Sequence, residues 1–204
     1  MKIFLVIAIV IIVILVIIQT YITLATGKTE TQFYKVIQTE DQFEIRYYPV
    51  AIMAKISSSS KSYRDVGYSG FGKLAKYIFG GNSDKKQIAM TSPVHMDIGD
   101  TISTMAFVMP SEYSKDELPK PDNAEIDIQT TEAEYVAVIA FAGFANTFSI
   151  NKHKTLLQQQ LTEKGITYYG NFRFLGYNPP FQIFGRRNEV IVSVDAAQIL
   201  KSKQ

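Results

Sequence analysis

The sequence predicts an α+β fold: an antiparallel sheet or distorted barrel with two flanking helices, one from each half of a pseudo-two-fold internal duplication, behind one N-terminal transmembrane helix. Three observations predict it. Alternating apolar segments far outnumber segments of helical period. Most successive strands are separated by short, hairpin-like connections, which favours antiparallel over parallel pairing. An order of strands, one helix and two further strands occurs twice, on either side of a Pro-punctuated joint at 110–123.

The N-terminus comes first. Residues 3–18 are sixteen uncharged, almost wholly aliphatic residues, and adding 19–26 reaches the length that crosses a bilayer. A membrane anchor is expected over 1–26, with a linker at 27–32 and the folded domain at 33–204. A cleaved secretory signal is the alternative. Against it, the apolar run is long for a signal and Thr23-Leu24-Ala25 is a weak substitute for an Ala-x-Ala site. A short N-terminus ahead of a long domain favours a single-pass arrangement with the domain outside the cytoplasm.

Within the domain, strands are expected at 33–37, 43–48 and 50–56. A helix over 68–79 follows, on the spacing of Phe71, Leu74, Ala75 and Ile78, and Gly80-Gly81 stops it. The segment 86–97 alternates Ile88, Met90, Val94 and Met96 with polar or small residues, so it reads as a strand that Pro93 bulges or breaks. A turn at Gly99-Asp100 leads to a strand at 101–109. The second half repeats the plan, with Tyr135-Val136-Ala137-Val138-Ile139-Ala140 echoing the segment from Tyr48 to Ala54. Its helix, over 149–164, is capped near Asn146 and stopped by Gly165, and strands at 172–177 and 189–195 complete the chain.

Composition excludes several chemistries. Only Lys2 of the 21 Lys+Arg precedes residue 27, and none of the 19 Asp+Glu does, so the domain is close to neutral. Nucleic acid is a poor partner for it. Zero Cys excludes disulfides, thiolate metal sites and covalent haem attachment, and two histidines exclude a three-histidine zinc site. Both His95 and His153 read as ordinary, partly exposed residues; His95 lies on the strand face opposite Ile88 and Met90, toward solvent or a pocket. The Ser57 to Ser60 run lacks a Gly-x-Ser-x-Gly setting and reads as a polar turn. Nothing assembles a nucleophile with its base, so an enzyme is not expected. In Arg186-Arg187-Asn188-Glu189 the expectation is structural: Arg187 pairs with a carboxylate and Glu189 enters the last strand.

Four ordered signals resemble the SOUL/haem-binding protein family. They are Gly72-Lys73-Leu74-Ala75-Lys76-Tyr77-Ile78 with Gly80-Gly81 and then Ile88-Ala89-Met90-Thr91-Ser92-Pro93-Val94; Phe107-Val108-Met109-Pro110-Ser111 with Leu118-Pro119-Lys120-Pro121; the strand from Val136 to Gly143; and Gly176-Tyr177-Asn178-Pro179-Pro180 with Arg186-Arg187-Asn188-Glu189-Val190. They span roughly residues 33–195. The resemblance implies the barrel-like fold with two flanking helices and reversible, non-covalent binding of haem or another tetrapyrrole, as a carrier or buffer. The runner-up is the same fold holding another apolar small ligand or a protein partner. The resemblance also implies a site between the first helix of the domain and the loop joining the last two strands. Here those elements carry Phe71, Lys73, Leu74, Ala75 and Lys76 on the helix, and Tyr177, Pro180, Phe181 and Phe184 in the loop. Lys76, with Lys73 as a second contact, would meet the propionates, and no axial histidine is implied.

Overall fold

The computed structural model describes residues 2–99 and 101–201. Asp100, half of the expected turn, and residues 202–204 of the expected domain lie outside the described residues. The element order is α1 (Lys2–Gly27), β1 (Lys35–Thr39), β2 (Glu44–Tyr48), β3 (Ile52–Ser58), α2 (Tyr63–Ile78), β4 (Val94–Asp97), β5 (Ser103–Val108), β6 (Ile126–Thr130), β7 (Glu134–Ala142), α3 (Thr147–Glu163), β8 (Tyr168–Gly176), β9 (Arg187–Val194) and α4 (Ala196–Lys201). A short 3-10 turn at Lys115–Glu117 lies in the joint between the halves.

Nine strands form one sheet in the order β1-β2-β7-β9-β8-β4-β5-β3-β6, every neighbouring pair antiparallel. The sheet is barrel-like in its strand order but not closed: β1 and β6 are its two edges. Outward from the central β8-β4 pair the order runs β9, β7, β2, β1 on one side and β5, β3, β6 on the other. The first half therefore lends β2, with β1 beyond it, to the second, and the second lends β6 to the first, β2 pairing with β7 and β6 with β3. That exchange makes the duplicated modules a single sheet.

Both helices cover one face. α3 buries Ile150, Leu157 and Leu161 against β7, β8 and β9, and α2 buries Val66, Leu74, Tyr77 and Ile78 against β3, β4 and β5. Met96 packs against both groups. α3 starts where its sequence says: Asn146 Oδ1 accepts from the Ser149 amide at 2.9 Å while the Ser149 hydroxyl accepts from the Asn146 amide at 2.9 Å.

Two expectations need correction. α2 begins at Tyr63, five residues before the expected 68, despite Gly67, Gly70 and Gly72. Packing outweighs propensity there: the Tyr63 ring meets Phe174 edge-on at 6.1 Å, and Val66 is buried. Gly70 lets the helix approach β5, since a Cβ on it would lie 3.2 Å from Met105. At the other end the helix closes as expected, with Gly80 at φ +101° and the Gly81 amide donating to the Lys76 carbonyl.

The second correction concerns 86–97. Only Val94–Asp97 is a strand; Ile88 is buried and Met90 packs against the same core, but the segment before Pro93 is a loop. Proline brings no N–H to a ladder, and the Ser92-Pro93 bond is cis. The backbone groups of Ser92 instead bind the segment after α1, its amide to the Glu30 carbonyl at 2.8 Å and its carbonyl to the Gln32 amide at 2.7 Å.

Candidate functional site

The register of the sheet defines a row across its helix-covered face. Phe107 of β5 stands opposite Val94 of β4, Val94 opposite Gly176 of β8, Gly176 opposite Asn188 of β9, and Asn188 opposite Phe141 of β7. Four strand spacings of about 4.8 Å make the row about 19 Å long. An aromatic pair closes each end. Phe71 of α2 meets Phe107 edge-on at 5.2 Å, and His153 of α3 stacks flat on Phe141 at 4.1 Å. In the middle stands Gly176, where a Cβ would meet only the Phe174 ring, at 3.4 Å. The row lies between the two helices as the candidate floor of a groove: Val94, Gly176 and Phe141 are half-buried there, while Phe107 and Asn188 are buried. Apolar walls with a bare backbone floor suit a flat, largely apolar ligand.

The residues singled out from the sequence divide among several places. Phe71 and Ala75, one turn apart, share the flank of α2 on the groove side, and Phe71 is 41% exposed. Leu74 is fully buried in the core beneath α2. Lys73 lies about 200° round the helix from Phe71. Its ammonium pairs with Glu125, just ahead of the edge strand β6, which turns it away from the groove. Lys76 is exposed near the end of α2, about 140° round from Phe71. Pro180, Phe181 and Phe184 are exposed in the β8–β9 loop, which leaves the sheet after Gly176. Tyr177 is not with them: it is buried on the opposite face of the sheet.

On that opposite face Tyr177 belongs to a charged cluster. Glu189, fully buried, accepts from Arg46 Nη1 through both oxygens at 3.0 Å, from Arg187 Nη2 at 2.6 Å and from Tyr177 Oη at 2.7 Å. Arg46 also donates to Glu44 at 2.7 Å, and its guanidinium lies 4.3 Å over the Tyr34 ring. Burial alone would lower the Arg46 pKa; the Glu189 charge and the hydrogen bonds of Glu44 and Glu189 outweigh it and hold the pKa above its ordinary value. Burial first, then the Glu189 charge, pushes the Tyr177 phenol up, so it stays a donor. The expected Arg187–carboxylate pair is therefore present, within β9, and it is Tyr177 that ties the cluster to the end of β8 and Arg46 that ties it to β2. Arg186 is likewise committed, donating to the carbonyls of Pro179 and Gln182 at 2.7 Å each.

His95 corrects the reading of a partly exposed side chain. It is 8% exposed, and Nε2 donates to Gln32 Oε1 at 2.8 Å, so the segment after α1 covers it. Burial, and then the Arg173 charge, lowers its pKa to about 3. In the folded protein it is neutral, whereas unfolded it titrates near 6.5. A depressed pKa on a base stabilises the fold above pH 6.5, and that contribution fades as pH falls toward 3. Denaturant titrations should show wild type losing about 2 kcal/mol between pH 7.5 and 5 from this residue. His95→Gln, which keeps a partner for Gln32, should lack that component; equal losses in both proteins would refute the assignment. His153 is half-buried against Phe141, its Nδ1 donating to the Ser149 carbonyl at 2.7 Å. Among the described residues no group of three His, Asp or Glu side chains could hold a metal ion.

The signals that sequence reasoning passed over are Val94, Gly176 and Phe141. Alternation from Phe174 puts Gly176 on the helix face, but only the strand register shows what stands beside it.

A half-buried row of apolar side chains and bare backbone between two helices on an open, duplicated sheet suits the binding of a small molecule. The comparisons agree. The sequence profile described as SOUL heme-binding protein matches residues 29–193, and the chain belongs to that family, whose members are binding proteins and not enzymes. It is 30% identical over 156 residues to heme-binding protein 1 of Xenopus laevis, covering 72% of this chain and 81% of that one. It is also 30% identical to heme-binding protein 2 of Mus musculus, covering 72% and 76%. Among solved structures the EcmrR C-terminal domain superposes with a TM-score of 0.58 at 10% identity, covering 76% of this chain and 97% of that one. A hydrolase from Listeria innocua gives 0.53 at 9% identity, covering 76% and 92%. At such identities these two share the fold alone.

Proposed function

We propose that this chain binds haem or another tetrapyrrole reversibly in the groove between α2 and α3, as a carrier or buffer held at a membrane by α1. The observation that carries the reading is the Phe107–Val94–Gly176–Asn188–Phe141 row with Phe71 and His153 at its ends. The names of the curated relatives support haem as the ligand. The tetrapyrrole is cargo: apolar faces rest on Phe71, Ala75 and the glycine floor, and propionates reach solvent cations at the rim. Lys76 is the cation retained for that role, because Lys73 is paired with Glu125. Haemin titration of the protein, followed by the Soret change, tests the reading; no saturable binding would end it.

Charge should tune affinity rather than create it. An exposed lysine–carboxylate contact is worth about 0.2–1 kcal/mol, so Lys76→Ala should weaken haemin binding by about fivefold at most. His95 is sealed against Gln32 and is expected to contribute nothing to iron. His95→Gln and His153→Ala should each leave affinity within about threefold, less than 1 kcal/mol. Loss of the Soret change in His153→Ala would instead make that imidazole an axial ligand.

The anchor reading rests on α1, whose 26 residues are long and apolar enough to cross a membrane and bury none of their side chains in the domain. The full chain should fractionate with membranes, N-terminus inside and the domain outside the cytoplasm, and deletion of 2–26 should release a soluble, folded domain. Recovery of full-length protein in the soluble fraction with Met1 intact would overturn the anchor.

A further inference from the structure

The β8–β9 loop has the wrong surface for water. Phe181, Ile183 and Phe184 are 62%, 52% and 64% exposed, and Phe144, beneath the Arg186 guanidinium at 4.5 Å, is exposed beside them. Several of the loop's backbone groups bond within the protein. The Pro179 carbonyl accepts from the Gln182 amide and from Arg186, the Gln182 carbonyl accepts from Arg186, and the Phe184 carbonyl accepts from the Gln182 side chain. Two more are met by α1: Gln19 Nε2 donates to the Phe181 carbonyl at 3.1 Å and its Oε1 accepts from the Ile183 amide at 2.9 Å. Large apolar side chains held outward on a loop that is hydrogen-bonded to a helix of bilayer length suit a lipid surface better than water.

The height of the loop follows from α1. Counting from Ile3, about 20 residues cross the hydrocarbon, which places Gln19 about one turn inside its far boundary. The turns around it are prepared for that position. The hydroxyls of Thr20, Thr23 and Thr26 each donate to the carbonyl four residues earlier, so their polarity is spent within the helix. Exposed Tyr21 adds an amphipathic ring suited to the interface. Anything joined to Gln19 by two hydrogen bonds lies at the same depth.

We propose that the loop 178–185 is a second membrane contact, with Phe181, Ile183 and Phe184 seated in the interfacial layer of the bilayer that α1 spans. The groove then opens at the lipid surface, and an amphiphilic ligand dissolved in the membrane reaches it without crossing water. This inference rests on the reading of α1 as a membrane span.

The chain contains no Trp, so a single introduced indole reports its own surroundings. Full-length Phe181→Trp and Phe184→Trp, ligand-free, are reconstituted in phosphatidylcholine vesicles with plain or brominated acyl chains. Tyr169→Trp, exposed seven residues from Gly176 on β8 and about 23 Å along the strand, is the reference. Both loop indoles should emit to the blue of the reference and lose most of their intensity to the brominated lipid, while the reference loses little. Vesicle flotation separates the two ways of failing. Protein that floats while its loop indoles match the reference overturns the loop contact and leaves the anchor standing. Protein that does not float overturns both.

Discussion

Glu189→Ala should destabilise the protein by about 3–5 kcal/mol, read as the shift of the urea midpoint of full-length protein in detergent. The magnitude comes from what is left behind. Arg46 is almost fully buried, and its guanidinium loses a carboxylate that accepted two of its hydrogen bonds. Arg187 and the Tyr177 phenol lose the same acceptor. Arg46 keeps only the partly exposed Glu44, and a buried cation that loses a carboxylate costs more than the ion pair itself contributes, because the desolvation penalty remains after that attraction is gone. Glu189→Gln keeps an acceptor oxygen and should fall between wild type and Glu189→Ala. A loss below about 1 kcal/mol for Glu189→Ala would mean that water reaches Arg46 and that the cluster is not closed.

Gly176→Leu and Phe71→Asp should each weaken haemin about 30-fold or more, about 2 kcal/mol, in a Soret titration. They act from opposite sides of the groove. Gly176 is the only floor position without a side chain, between Val94 and Asn188, and leucine there would stand where a flat ligand rests. Phe71→Asp sets a carboxylate against the apolar face that Phe71 and Phe107 offer, and the cost of desolvating that charge opposes every contact the ring makes. Phe71 is partly exposed, so its replacement should leave the thermal midpoint nearly unchanged. Gly176 is not in a positive-φ conformation and its Cβ position is open apart from Phe174, so leucine should fold as well. Wild-type affinity in both variants, with normal unfolding, would place the ligand elsewhere.

How much of this was legible beforehand differs from element to element. α3 was readable to within two residues, because Asn146, the Ile150-Leu157-Leu161 stripe and Gly165 are local signals that agree. The start of α2 was not, since three glycines argued against a helix that Tyr63 and Val66 secure through distant partners. The segment 86–93 alternates like a strand, and Ile88 and Met90 face the core as that pattern says, but its backbone bonds go elsewhere, Ile88 to the end of α2 and Ser92 to the chain after α1. The site divides in the same way. That Phe71 and Ala75 share one flank of α2 follows from helical spacing, whereas Tyr177, written among loop aromatics, turns to the other face because the alternation of β8 carries on one residue past its end.

The sequence by itself determined the family, the two-module order, the bilayer-length helix and the absence of thiol or multi-histidine chemistry, all of which rest on composition or on patterns within a few residues. Only the tertiary structure decided that the halves exchange β2 and β6, that a glycine floors the groove, that Lys73 is occupied by Glu125, and that Gln19 holds the Phe181 loop. Each joins residues 50 or more positions apart in the chain or depends on strand register, and a local pattern carries no information about which distant strand will stand beside it.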